Sequence, residues 1–193
     1  MIKTKKDYKE YLIADLKATE IYKSKFVKRL YDNRYKFYKS LRLTEFYYNR
    51  KQNIFTKIIK RFLYIRHVRL CNKFGWTIPI NVFGPGLAIV HQGTIVVSGS
   101  AKIGKNCRIH VCTNIGRAIS HGKAGAPIIG DNVYIGPGVK MFGNIKIGDN
   151  TAIGANSVVN KSFEEGNCTI AGVPAKKISD NTSEGYILGD IDK

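Results

Sequence analysis

Aliphatic residues recur every six positions through the second half of the chain. They form two runs: Val97, Ile103, Ile109 and Ile115, then Ile129, Ile135, Met141, Ile147, Ile153 and Val159. Helical faces repeat every 3.6 residues and strand faces every 2, so neither explains this period. Six residues can form one flat side of a triangular coil, in which branched side chains point inward and stack from turn to turn. The pattern therefore predicts a mainly β fold, a parallel β-helix.

Small and polar residues mark the predicted corners of this coil. Glycine follows the aliphatic residue at six places, namely Gly104, Gly116, Gly130, Gly136, Gly148 and Gly154. Asparagine stands three positions after it at Asn106, Asn132, Asn144, Asn150 and Asn156. Both residue types tolerate backbone conformations that other residues avoid, so we expect both at corners.

The six-residue register breaks once, between Ile115 and Ile129. This step is 14 residues long, two more than a pair of hexads. The segment 117–128 (RAISHGKAGAPI) is rich in Gly, Ala and Ser, so we expect it to leave the coil as a loop. A flexible loop on a rigid rod is a candidate functional element, and a tolerated insertion is the alternative.

The chain divides into three segments. Residues 1–74 are basic and predict an α-helical region, with helical spacing over 7–22, 23–48 and 57–71. Residues 75–178 hold the predicted coil. Residues 179–193 are polar and predict a mobile tail.

Positive charge is concentrated in the helical region. The net charge is +18, and residues 1–70 hold 20 Lys and Arg against 6 Asp and Glu. Such a surface can meet nucleic acid, anionic lipid or a polyanionic substrate, or simply be solvated. No nucleic-acid-binding motif is recognisable, so we expect no nucleic acid partner. The stretch 57–71 (KIIKRFLYIRHVRLC) can lie peripherally on an anionic membrane, although packing on the coil or on another subunit is the favoured expectation.

Sorting signals and paired cysteines are not evident. No run of 18 uncharged apolar residues exists, and the basic N-terminus lacks an apolar signal core. The four cysteines show no CxxC spacing. We therefore expect a cytoplasmic protein with reduced thiols, which can also contact the inner face of the membrane peripherally.

The segments GPGLAIVHQGTIVVSGSAKIGKNCRI and AGVPAKKI, together with the hexads, resemble the hexapeptide-repeat acyltransferase superfamily. The chain is most similar to the serine O-acetyltransferase-like branch, and within it to O-acetyltransferases of capsule and exopolysaccharide biosynthesis. The resemblance implies a left-handed coil, a homotrimer, acetyl-CoA bound in a cleft between adjacent coils, and no metal.

His91 in VHQGTIVV matches the family's catalytic histidine, which implies a general base at this position. Imidazole, with an ordinary pKa of about 6.5, is largely neutral at cellular pH and can take a proton from an attacking hydroxyl. His91 also lies six residues before Val97, where the apolar column would place an aliphatic residue. A polar side chain there calls for a functional reason.

The same resemblance implies further site residues. Gly136-Pro137 and Gly154-Ala155 are expected to line the pantetheine groove. Lys176 and Lys177 are expected to meet CoA phosphates, with solvated lysines as the alternative. His110 and His121 are weaker candidates for substrate contact, since either can be a solvated histidine.

Two departures bear on the acceptor. Serine acetyltransferases carry an Asp directly before the catalytic His and a His before the Pro that ends the loop, whereas this chain has Val90 and Ala126. These differences remove polar groups suited to a zwitterion, so the sequence favours a saccharide hydroxyl in surface-polysaccharide synthesis. Serine acetylation for cysteine synthesis is the alternative. A zinc carbonic anhydrase using His91, His110 and His121, and a non-catalytic trimeric scaffold, are remoter ones.

Overall fold

The computed structural model describes residues 1–21, 32–51, 53–120 and 123–187, beginning with three helices. They are α1 (Lys5–Ala18), α2 (Asn33–Tyr48) and α3 (Ile54–Phe74). Each helix overlaps one of the stretches with helical spacing, but α1 ends at Ala18 rather than at residue 22, and α2 begins only at Asn33. Residues 22–31 lie outside the described residues. Among the described helices, none is long and apolar enough to cross a bilayer.

Short polar residues set the ends of two of these helices. Thr4 caps α1 by accepting a hydrogen bond from the Asp7 backbone, and Asn53 caps α3 in the same way. Gly75, with a φ of 74°, ends α3 in the left-handed region that favours glycine. The chain then turns directly into the first strand.

Sixteen short strands follow in the described residues. They are β1 (Trp76–Thr77), β2 (Ala88–Ile89), β3 (Ile95–Val97), β4 (Lys102–Ile103), β5 (Arg108–Ile109), β6 (Thr113–Gly116), β7 (Ala118–Ser120), β8 (Lys123–Gly125), β9 (Ile128–Ile129), β10 (Tyr134–Ile135), β11 (Lys140–Phe142), β12 (Lys146–Ile147), β13 (Ala152–Ile153), β14 (Val158–Val159), β15 (Thr169–Gly172) and β16 (Ala175–Ser179).

The chain visits three parallel sheets in a fixed order and so winds into a triangular coil. The first sheet is β1-β3-β6-β11-β14, the second is β4-β9-β12, and the third is β2-β5-β10-β13-β15. The last strand, β16, pairs antiparallel with β15. Every aliphatic residue of the two hexad runs is buried. The prediction of a parallel β-helix behind an α-helical region is confirmed.

Glycine and asparagine serve different needs at the corners. The six hexad glycines lie outside the left-handed region, but a Cβ on Gly104 would stand 2.6 Å from the Gly130 carbonyl oxygen of the next turn. The approach of the turns explains five of the six glycines in this way, whereas a Cβ on Gly116 would have its nearest neighbour 3.3 Å away. The expectation based on backbone freedom is wrong for all six. That expectation holds for four of the five asparagines, because Asn106, Asn132, Asn150 and Asn156 have φ values of 54°, 55°, 54° and 57°. It is wrong for Asn144.

The corner asparagines also form a ladder along the coil. The Asn106 amide donates to Asn132 at 2.9 Å, Asn132 donates to Asn150 at 3.0 Å, and Asn150 donates to Asn167 at 2.9 Å. Each turn of this corner is therefore joined to the next by side chains as well as by the backbone.

The break in register is larger than the sequence count suggests. Ile95 pairs with Thr113, 18 positions on, whereas Ile103 pairs with Ile129, 26 positions on. The segment between Ile115 and Ile129, hereafter the excursion, therefore adds eight residues to a single hexad step. The sequence analysis counted two extra residues, which is wrong. Strands β7 and β8 of the excursion form an antiparallel hairpin.

The described part of the C-terminal segment packs on the coil. The Ser183 side chain is buried, its hydroxyl donates to the Asn132 carbonyl, and its backbone N–H donates to the Asn150 carbonyl at 3.1 Å. The Tyr186 ring stacks on Tyr134 with ring centroids 4.5 Å apart. The expectation of a mobile tail is therefore wrong for residues 179–187, and residues 188–193 lie outside the described residues.

A buried arginine joins the helices to the start of the coil. Arg42 on α2 pairs with Asp15 at 2.7 Å and with Glu45 at 3.0 Å, and all three side chains are buried. Arg42 also donates to the carbonyl oxygens of Phe83 and Gly84 at 2.9 and 2.7 Å. Burial opposes the charge, but the two carboxylates outweigh it and raise the pKa of Arg42 above its ordinary value.

Other helix side chains satisfy backbone N–H groups of the first turn of the coil. The Asp15 carboxylate accepts from Gly86 and Leu87, both at 2.9 Å. The Tyr38 hydroxyl accepts from Ile89 at 2.9 Å. These donors face the open end of the coil, where no preceding turn offers carbonyl acceptors. The helices supply the acceptors instead.

We predict that Arg42→Ala lowers the free energy of unfolding by about 3–5 kcal/mol, because it leaves two carboxylates buried without their cation. Urea unfolding followed by circular dichroism measures this. Arg69→Ala, an exposed arginine on α3, is the matched control and should change stability by less than about 0.5 kcal/mol. Equal losses of stability in the two variants would show that the buried cluster does not hold the helices to the coil.

Candidate active site

His91 lies on an enlarged corner between the third and first sheets. Ala88 pairs with Arg108, 20 positions on, whereas Ile95 pairs with Thr113, 18 positions on. The corner from β2 to β3 is therefore two residues longer than the next one. Ile89 fills the apolar column, and His91 is exposed. The expectation that His91 occupies a column position is wrong, because the extra length carries it out of the coil.

The corner that bears His91 continues along the coil as a column of stacked positions. The Val90 N–H donates to the Ile109 carbonyl, and the His110 N–H donates to the Ile135 carbonyl, at 3.3 and 3.1 Å. His110 therefore stands one turn above Val90. Gly136 and Gly154 continue the same column through equivalent backbone hydrogen bonds of 2.9 Å each.

A row of rings runs along the outside of the third sheet beside this column. The ring centroids of His91 and His110 are 6.2 Å apart, and those of His110 and Tyr134 are 5.2 Å apart. Tyr186 covers the far side of Tyr134. The structure therefore brings His91 and His110 together and adds two tyrosines that the sequence analysis missed.

Arg108 is a further residue that the sequence analysis missed. It pairs with Tyr134 across neighbouring strands and alternates with the buried Ile109, so its side chain leaves the outer face of the sheet. Its Nη1 atom and the Nε2 atom of His110 are buried, and neither has a hydrogen-bond partner. Counting the excursion as eight residues would have placed Arg108 and Tyr134 in the same column from the sequence alone.

Burial and charge keep His110 neutral. Burial lowers the pKa of His110 below its ordinary value, and the positive charge of Arg108 and the neighbouring His91 lower it further. Burial raises the pKa of Tyr134, against the opposing effect of Arg108. At neutral pH the corner thus offers a neutral imidazole and a phenol beside a guanidinium cation.

The residues expected to line the pantetheine groove lie on the same corner. A Cβ on Gly136 would stand 2.7 Å from the Ile153 carbonyl oxygen, and one on Gly154 would stand 2.9 Å from the Ala171 Cβ. Packing between turns already explains these glycines. Pro137 and Ala155 are both exposed and are the parts of this surface open to a ligand.

The remaining candidates are spread more widely. Lys176 and Lys177 are exposed on β16, in the same sheet as β5 and β10. Asp180 pairs with Lys177 at 2.6 Å and raises its pKa by a hydrogen bond. His121 lies outside the described residues. Within the described ranges, no group of three or more His, Cys, Asp or Glu residues could hold a metal ion.

Comparison with known proteins gives consistent matches. The model of the bacterial transferase hexapeptide family (six repeats) matches residues 126–161. The serine acetyltransferase of Synechococcus elongatus is 35% identical over 95 residues, which are 49% of this chain and 38% of that relative. The serine acetyltransferase of Staphylococcus aureus is 35% identical over 118 residues, which are 60% of this chain and 55% of that relative. The chain therefore spans roughly half or less of the length of these relatives.

A solved structure extends the likeness to the whole fold. Serine acetyltransferase in complex with coenzyme A from Brucella abortus superposes with a TM-score of 0.72 at 28% identity, covering 92% of this chain and 70% of that one. The likeness confirms the left-handed parallel β-helix with an α-helical N-terminal region.

The comparisons correct the expected acceptor. The sequence analysis favours a saccharide hydroxyl of surface polysaccharide, but the matched relatives and solved structures are serine acetyltransferases. The saccharide expectation is therefore wrong. Val90 is half-buried and Ala126 is buried, and neither side chain offers a polar group to an acceptor. Two apolar positions do not make the whole corner apolar, because His110 and Arg108 stand on the neighbouring turn.

We predict that Arg108→Met raises the pKa of His110 towards its ordinary value, because the substitution removes a cation that disfavours the imidazolium. Titration of the imidazole C–H signals by NMR measures the change. Lys102→Met, an exposed cation on β4 in the second sheet, is the matched control and should leave this pKa unchanged. An unaltered or lower pKa in Arg108→Met would contradict the electrostatics described here.

Proposed function

We propose that this chain, which belongs to the serine acetyltransferase-like branch of the hexapeptide-repeat acyltransferase superfamily, transfers the acetyl group of acetyl-CoA to the hydroxyl of L-serine. The observation that carries the proposal is an exposed imidazole on an enlarged corner of a coil that matches serine acetyltransferases in sequence and structure. The solved coenzyme A complex of a related protein supports acetyl-CoA as the donor.

His91 is the general base of the proposed reaction. Its neutral imidazole takes the hydroxyl proton of serine while the hydroxyl oxygen attacks the thioester carbonyl carbon. A tetrahedral oxyanion forms, and backbone N–H groups can stabilise such a charge. The C–S bond then breaks, the imidazolium returns its proton to the departing thiolate, and the products are the acetyl ester of serine and free CoA. Exposure of His91 on the corner leaves its ring accessible to both substrates.

The donor is proposed to lie along the corner column in a homotrimer, in the cleft between adjacent coils. Pro137 and Ala155 border it next to Gly136 and Gly154, and Lys176 and Lys177 stand ready for the CoA phosphates as point charges. The outer faces of the coil support association, because Val96, Ile128 and Phe142 are apolar and 37–42% exposed there. Ile119 on the hairpin is 77% exposed and is available to reach a neighbouring coil.

We predict that the purified chain releases CoA with L-serine as the only acceptor, and that His91→Ala lowers kcat by about 10²–10⁴-fold, because the hydroxyl loses its proton acceptor. CoA release followed with a thiol reagent measures both. The KM for acetyl-CoA should stay within about twofold, since the donor is held by other residues.

Gln92→Ala is the matched control, since Gln92 is the exposed neighbour of His91 on the same corner. It should retain the wild-type rate. A wild-type chain that does not acetylate L-serine would overturn the acceptor. Full activity in His91→Ala would overturn the role of the base.

A second surface bears on where the enzyme works. On α3, Ile54, Ile58, Phe62 and Ile65 point away from the coil, and each is 43–72% exposed. The helix also carries six Lys and Arg and no Asp or Glu. We propose that this face, hereafter the α3 face, contacts an anionic membrane surface peripherally, since apolar side chains flanked by cations fit anionic lipid.

We predict that the chain co-sediments with vesicles containing phosphatidylglycerol and not with neutral phosphatidylcholine vesicles. Ile58→Ser should lower the partition coefficient by about tenfold or more, because one large apolar side chain no longer enters the lipid. Ile178→Ser on β16 is the matched control, at 62% exposure against 68% for Ile58. A change in sedimentation mass without a change in vesicle binding in Ile58→Ser would show that the face packs on another copy of the chain instead.

A further inference from the structure

We propose that Arg108, assisted by His110, binds the carboxylate of the amino-acid acceptor. This assignment rests on the proposed function and deepens it, because it names the residues that make an amino acid, rather than a simple alcohol, the substrate. Neither residue matches a position that the resemblance marks for binding serine; those positions hold Val90 and Ala126.

Unsatisfied donors carry the proposal. The Nη1 atom of Arg108 is buried and has no acceptor, and the described residues provide no ion pair for this guanidinium. A buried donor without a partner is destabilising, so such atoms point to a ligand or another unfilled contact. A guanidinium presents its N–H groups in a fork that matches both oxygens of a carboxylate.

Arg108 lies on the third sheet, close to the corner that bears His91. His110 stands between them, with its ring centroid 6.2 Å from that of His91. Arg108 precedes His110 by two residues on extended backbone, which places their Cα atoms about 6.6 Å apart along the sheet. An acceptor whose hydroxyl meets His91 would direct its carboxylate past the His110 ring towards Arg108.

His110 completes the contact in its neutral form. Its Nε2 atom is buried and unpartnered, as is Nη1 of Arg108, so two polar atoms on one face lack partners together. A neutral ring nitrogen either donates to a carboxylate or accepts from an ammonium group, depending on its tautomer. The Tyr134 ring, stacked on Tyr186, borders the ring of His110 and limits its movement.

The column geometry explains why the expected polar residues are missing. Val90 occupies the position before the base, and His110 occupies the same column one turn later. The polar contact that a serine enzyme requires is thus supplied from the neighbouring turn. Arg108 adds the positive charge that an apolar side chain at position 126 does not give.

The test compares acceptors with and without a carboxylate. L-serine amide keeps the hydroxyl and the ammonium group but has no negative charge. Arg108→Gln should raise the KM for L-serine by about 10- to 100-fold, as expected for loss of a charge-assisted hydrogen bond. The same variant should change the KM for L-serine amide, and that for acetyl-CoA, by less than about twofold.

Controls separate this role from a structural one. Lys102→Gln removes an exposed cation from the second sheet and should leave every constant unchanged. Arg108→Lys keeps the charge but loses the fork, so it should raise the KM for L-serine by less than Arg108→Gln does. If Arg108→Gln does not fold, Arg108→Lys carries the test, since an unchanged KM for L-serine there would count against a forked contact.

The outcomes are distinguishable from failure of the proposed function. A wild-type chain that does not acetylate L-serine overturns both proposals. A wild-type chain that does, combined with an unchanged KM for L-serine in Arg108→Gln, overturns only the assignment of Arg108. A rise in the KM for acetyl-CoA instead would assign Arg108 to binding of acetyl-CoA, and this outcome too would overturn its assignment to the acceptor carboxylate.

Discussion

The turns of the coil lie so close together that most corner positions have no room for a side chain directed at the next turn. Gly104 shows the limit, because even a Cβ would stand 2.6 Å from a carbonyl oxygen of the next turn. A rod under this constraint is uniform, and its side chains are either in the apolar column or on flat outer faces. The chain departs from uniformity at two places. The corner at His91 is longer by two residues, and the excursion that contains the β7–β8 hairpin adds eight. Chemistry that needs a projecting group is concentrated at such departures.

The same constraint makes the first turn depend on the helices. Backbone donors at its open edge have no preceding turn to meet, and Asp15, Tyr38 and Glu45 accept their hydrogen bonds instead. Arg42 neutralises two of these acceptors and reaches the backbone of the coil itself. Ile89, whose N–H is held by Tyr38, lies two residues before His91. The helical region therefore fixes the corner from which the proposed base projects.

Much of the fold could be predicted from the sequence because its period is set by local geometry. The aliphatic column from Val97 to Val159 and the helical region are both visible as spacing. Spacing alone cannot tell which sheet a residue belongs to after an interruption, which is why it undercounts the excursion after Ile115 and puts His91 in the column. The candidate site was harder to predict. Arg108 and Tyr134 come together only once the correct register is known, and the burial that leaves the Nη1 atom of Arg108 without a partner is a property of packing. The acceptor is misjudged for the same reason, since a polar group that is absent at Val90 can be supplied by His110, 20 positions later in the chain.

The asparagine ladder has a polarity that matters for the ageing of the protein. In the series Asn106, Asn132, Asn150 and Asn167, each of the first three amides donates an N–H to the oxygen of the next, so these three point along the rod in one direction. Deamidation converts an asparagine to an aspartate, which has oxygens only and donates nothing when ionised. A single event at Asn132 would leave its acceptor in Asn150 without a donor and set a negative charge between two turns. Chemical damage to one residue would thus remove the side-chain link between two turns at this edge, and only the backbone hydrogen bond from Asn150 to the Asp131 carbonyl, at 2.9 Å, would join them there.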